Sequence, residues 1–82
     1  MKGDAYRALC LYAERNGMRV RLETVKTRER HSEISRLSVW KCELAPFGQR
    51  VYVEVGGAKV IGDPDHAAES LLRWFAHEEQ AA

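Results

Sequence analysis

The chain has 82 residues, 45% of them hydrophobic and 30% charged, with a formal net charge of +1. That length allows one domain with a thin core, and the composition argues against a disordered chain. No apolar run approaches the ~18 residues of a membrane span, and Asp4, Arg7, Glu14 and Arg15 break any signal-peptide pattern.

Asp4 is placed to cap a first helix over about 4–16. Ala5, Leu9, Tyr12 and Ala13 form its apolar side, Tyr6 and Cys10 flank it, and Arg7, Leu11 and Glu14 face away. Asn16-Gly17 is a helix stop, with glycine supplying the left-handed residue after the last turn. A strand over about 18–26 follows, with Met18, Val20 and Leu22 inward and Arg19, Arg21 and Glu23 outward.

The polar run from Lys26 to Ser35 has no periodicity and reads as the tip of a hairpin. It is either a solvated loop or a charged finger, carrying Arg28 and Arg30, that touches an acidic partner. Apolar residues return on both faces of a strand over about 36–44. Trp40 is placed inward, because a bulky aromatic supplies much of a small core's burial; Cys42 and Leu44 follow it, leaving Leu37, Val39 and Lys41 outside. Residues 45–49, with Pro46 and Gly48, form the next turn.

From Arg50 to Val55 the alternation is strict, with Val51, Val53 and Val55 inward and Arg50, Tyr52 and Glu54 outward. Gly56-Gly57 is expected to make a two-residue type I′ turn between strands over about 50–55 and 58–62, setting Glu54 opposite Lys59. Asp63 then caps a last helix over about 64–79, with Pro64 at its first position. Ala68, Leu71, Leu72 and Phe75 make its apolar stripe, and Trp74 at the rim, beside Ala67, is either core or a contact residue, with core preferred.

The expected fold is a single α+β domain over 1–82 in α-β-β-β-β-α order, a four-stranded antiparallel meander with both helices on one face. The bare face would show Arg19, Arg21, Leu37, Val39, Lys41, Arg50, Tyr52, Lys59 and Ile61. Charge is segregated along the chain. Residues 19–41 carry +4, from Arg19, Arg21, Lys26, Arg28, Arg30, Arg36 and Lys41 against Glu23, Glu29 and Glu33. Residues 63–82 carry −4, from Asp63, Asp65, Glu69, Glu78 and Glu79 against Arg73.

No catalytic constellation emerges, so the chain is expected to be no enzyme and to use no cofactor or metal. His66 and His77 lie ~16 Å apart along a helix, too far to share an ion, and His31 is in the polar run. The fragment Asp63-Pro64-Asp65-His66 lacks the further acidic residue and strand lysine of a metal nuclease. Gly56-Gly57 joins two strands, not a strand and a helix, and so is no phosphate loop. Cys10 and Cys42 have no C-x-x-C spacing and no base set beside them, in keeping with a reduced, cytoplasmic chain.

The helix–strands–helix order, with Val-Tyr-Val-Glu-Val-Gly-Gly-Ala-Lys-Val-Ile-Gly ahead of the last helix, resembles a double-stranded-RNA-binding domain over the C-terminal half. The resemblance implies phosphate contacts from lysines at the start of that helix, where this chain has Asp63, Asp65 and His66.

Two functions are expected from these readings. The first is a non-enzymatic protein-binding module, monomer or homodimer, that blocks a partner's acidic or nucleic-acid-binding surface through Arg19, Arg21, Arg28, Arg30, Arg36, Lys41, Tyr52 and Lys59. Small chains without catalytic groups commonly act by occupying a surface. Stand-alone inhibitors and adaptors of phage or mobile-element type, such as anti-CRISPR and other anti-defence proteins, are a source of them. The alternative is nucleic-acid binding by the basic sheet face and the 26–36 loop, with Tyr52 as a stacking residue.

Overall fold

A computed structural model describes residues 3–26 and 33–81. The elements are α1 (Asp4–Arg15), β1 (Met18–Lys26), β2 (Glu33–Leu44), β3 (Arg50–Val60) and α2 (Pro64–Ala81). The strands form one antiparallel sheet in the order β1-β2-β3. The four-stranded expectation is thus corrected to three strands, in α-β-β-β-α order, within the same α+β class.

The correction lies at Gly56-Gly57. Neither glycine takes positive φ; those that do are Gly17, Gly48 and Gly62. The pair sits inside β3, which pairs with β2 from Leu44↔Arg50 to Ser35↔Val60. A hairpin there would have folded residues 58–60 back on 50–55 and left Ser35 to Leu37 paired on the β1 side alone. Continuous pairing satisfies those backbone groups. One irregularity remains, a register shift between Val39 and Trp40 where Val55 is the extra residue on β3. The expected Glu54–Lys59 pair does not form. Glu54 lies opposite Trp40, and Lys59 opposite Arg36.

Gly56 instead sits in close contact with α2. A Cβ there would stand 3.3 Å from Phe75 Cζ, 3.4 Å from Leu71 Cδ2 and 3.6 Å from Trp74 Cζ3. The missing side chain lets α2 settle directly onto the β3 backbone.

The faces of β2 are also the reverse of those expected. Leu37 and Val39 are fully buried in the core, with Leu9 and Ala13 of α1 and Ala67, Ala68, Leu71 and Phe75 of α2. Met18, Val20, Leu22, Val55, Ala58 and Val60 pack around that cluster, so both helices cover one face of the sheet. The register explains the choice: Val20 opposes Val39 and Leu22 opposes Leu37, so aliphatic meets aliphatic on the side that β1 already turns inward. Trp40 then falls opposite Arg19 on the uncovered side, and Cys42 and Leu44 follow it. Leu44 is 76% exposed.

The helices run side by side in the same direction and are tied at both ends. At the start, Tyr6 N–H donates to Asp65 Oδ1 at 2.9 Å, so α2 supplies the cap for α1. Asp4, expected to cap, is instead the first helical residue, after Gly3, whose position makes no side-chain cap. Asp63 does cap α2, accepting from Asp65 N–H at 3.0 Å. At the far end, the Tyr12 hydroxyl donates to Glu79 Oε1 at 2.6 Å, and its ring lies 5.3 Å from that of Phe75. Trp74 packs edge-on against Phe75 at 5.0 Å yet stays 45% exposed, at the rim of the core.

Candidate functional site

The side of the sheet away from the helices is built in rows by strand register. Arg19, Trp40 and Glu54 make one row; Arg21, Ser38 and Gly57 the next; Glu23, Arg36 and Lys59 the third. Cys42 and Tyr52 pair beyond them.

Ser38 is fully buried although no helix lies on its side. Trp40, two residues along the same strand, donates its indole N–H to Ser38 Oγ at 2.8 Å. Ser38 in turn donates to the Arg21 carbonyl on β1 at 3.3 Å. The chain satisfies the one polar atom of a half-buried tryptophan with its nearest same-face neighbour, and that ties the indole to the strand.

Trp40 lines a depression of about 330 Å³ together with Arg19, Val20, Arg21 and Tyr52. The Arg19 guanidinium carbon lies 5.5 Å from the centre of the Tyr52 ring, within cation–π range. The Arg21 guanidinium is held by Glu23 Oε1 at 2.7 Å. A mouth of this kind presents two aromatic faces and two planar cations, which suits a carboxylate next to an apolar or aromatic group.

Further along, Arg36 and Glu54 form an ion pair whose guanidinium lies across the bare backbone of Gly57. The hydrogen bond to Glu54 holds the Arg36 guanidinium above its ordinary range. Arg36 is therefore engaged within the chain rather than turned wholly to a partner.

Of the residues expected to bind a partner, Arg19, Arg21, Arg36, Tyr52 and Lys59 share the open face. Lys41 does not. It stands opposite Met18 on the helix side, in a groove shared with Tyr12, Trp74, Glu78 and Glu79. Leu37 and Val39, expected on the bare face, are core. Arg28 and Arg30 lie outside the described residues. Trp40 is the residue that sequence reasoning missed. The clean alternation of β1 could have found it, because pairing β2 aliphatics with Val20 and Leu22 turns Trp40 outward.

The start of α2 has no basic side chain to offer a phosphate. Asp63 and Asp65 there are occupied in capping the two helices. Among the described residues, no three His, Cys, Asp or Glu side chains gather where they could hold a metal ion, and both cysteines are free thiols. Among the described residues no helix is long and apolar enough to cross a membrane. No protein-family model matches this chain, and no curated protein and no solved structure is significantly similar to it.

Proposed function

We propose that the chain is a protein-binding module that works through the open face of its sheet, with Trp40 and Tyr52 as anchors and Arg19 and Arg21 as the charged contacts. The observation that carries this reading is the Trp40–Tyr52–Arg19–Arg21 depression. Tryptophan, tyrosine and arginine are the residue types that dominate binding energy at protein interfaces, and here they converge on one concave spot. The partner surface that fits is apolar with carboxylates at its rim. Acting by occupation alone, such a module serves as an inhibitor or an adaptor.

The position of Trp40 also favours a second reading, single-stranded nucleic acid stacked on Trp40 and Tyr52. Against it, Glu23 and Glu54 lie on the same face as Arg21 and Arg36 and offset much of its positive charge, whereas a strand presents a phosphate at every nucleotide and a protein partner only a few carboxylates. Phosphate binding depends on cations that remain available for neutralisation.

Selection from a random displayed-peptide library separates the two. Binders enriched in Asp or Glu beside aromatic or aliphatic residues, and lost on Trp40→Ala, are expected. Micromolar binding of mixed-sequence single strands that weakens steeply between low and moderate salt, with no peptide selected, would favour the second reading instead.

A further inference from the structure

β3 is an edge strand. It pairs with β2 on one side, and no described strand lies on its other side. An open edge templates further pairing unless something blunts it. The second half of β3 is overhung by α2, whose Leu71, Trp74 and Phe75 close over Gly56. The first half, Arg50 to Glu54, has no such cover and no proline, and its charged residues point to the open face, not across the edge. On the helix side Val51 and Val53 are left 40% and 41% exposed, which is poor use of two valines in a chain with so small a core.

We propose that two copies of the chain pair through this edge, antiparallel, about a two-fold axis passing at Tyr52, joining two three-stranded sheets into one. The segment Arg-Val-Tyr-Val-Glu is its own complement in that register. Arg50 of each copy meets Glu54 of the other, Val51 meets Val53, and Tyr52 meets Tyr52. Both charge pairs are then opposite in sign, both valine pairs close on the helix side, and the tyrosines stack on the open side. Moving the axis to Val51 sets Arg50 against Tyr52, and moving it to Val53 sets Tyr52 against Glu54, so neither alternative matches the charges. Glu54 keeps Arg36 on its inner side, since β2 and the second copy flank it from opposite edges. The interface is a short strand pairing, so association belongs in the weak range. This proposal does not rest on the open-face reading, and its test reads mass in solution, not partner binding.

Sedimentation equilibrium at about 100 µM chain, the range where a small interface still associates, is the first measurement. The chain is expected to be dimeric there. Arg50→Glu alone sets like charges at both crossings, as does Glu54→Arg alone. Each variant is expected to associate about tenfold or more weakly than the parent. An equimolar mixture of the two variants restores opposite charges at both crossings and is expected to recover the dimer. If Glu54→Arg loses its fold because Arg36 then faces a cation, Arg36→Glu with Glu54→Arg restores the internal pair and takes its place. A monomeric parent overturns the proposal. So does a dimer that survives Arg50→Glu, or a mixture that stays monomeric.

Discussion

On the helix side, β2 buries Leu37 and Val39 completely beneath side chains from α1 and α2. On the opposite side it buries Ser38 just as completely, with no described element above it. The first face is closed by shape, aliphatic groups from three elements filling one volume. The second carries side chains tied to one another at the surface, Trp40 by a hydrogen bond to Ser38 and Arg21 by its ion pair with Glu23. A face built from helices resists change because removing an atom leaves a hole. A face whose side chains are tied at the surface by single polar contacts can release them and receive something else. That contrast is the physical reason for placing binding on one side and stability on the other.

The contrast is sharpest in Leu37→Ala, which empties a fully buried position under both helices. A loss of about 3 kcal/mol is expected in urea unfolding, against about 1 kcal/mol for Trp40→Ala on the open side. Equal losses from the two substitutions would dissolve the distinction between the faces. The adjacent glycines probe the same boundary. Gly56→Val drives atoms into Phe75, Leu71 and Trp74 and is expected to cost about 1–3 kcal/mol. Gly57→Ala meets, nearest, the movable Arg36 guanidinium and the Glu54 carboxylate, and should cost less than ~1 kcal/mol. A type I′ turn would penalise alanine at both places through positive φ, so a tolerated Gly57→Ala also checks the strand count.

Ser38→Ala is expected to cost about 1 kcal/mol, because it strips the indole N–H of its acceptor while leaving the helix-side core intact. Its Trp40 fluorescence should shift towards that of a mobile, more hydrated indole. Smaller still is the contribution of the Tyr12–Glu79 link. Chiefly the hydrogen bond to Glu79, then desolvation and the nearby carboxylate charge, raise the Tyr12 hydroxyl above its ordinary value of 10.0. A raised folded-state value means the stabilisation is fully present below pH ~10 and is lost as pH climbs through the folded-state value. Melting temperature followed into that alkaline range should fall less steeply for Tyr12→Phe than for the parent. The link is at the surface, so the difference at neutral pH is about 0.5 kcal/mol or less. At the end of the scale, Arg19→Glu with Arg21→Glu should leave the melting temperature nearly unchanged and abolish binding of the selected peptides. Retained binding would remove the open face as the working surface.

Much of this architecture can be read along the chain wherever a pattern is carried by consecutive residues. Met18-Val20-Leu22 against Arg19-Arg21-Glu23 assigns the faces of β1, and Asp63-Pro64 followed by Ala68, Leu71 and Phe75 defines the start and buried stripe of α2. The inversion of β2 and the misread glycines have one cause. Leu37, Val39, Trp40 and Cys42 make both faces apolar, so local pattern cannot choose between them. The decision falls to which residues of β1 they oppose. Gly56-Gly57 satisfies a turn as well as it satisfies a close contact.

Local order along the chain, then, determined by itself the two amphipathic helices, the alternating first strand, the capped entry to α2 and the segregation of charge. Those depend on backbone propensity and on spacing within one element. Only the tertiary structure decided that β3 runs through its glycines, that Trp40 lies outside on Ser38, that Lys41 leaves the binding face, and that Asp65 caps the other helix. Each of those depends on a neighbour distant in sequence, whose position is set when α2 docks and the strands find their register.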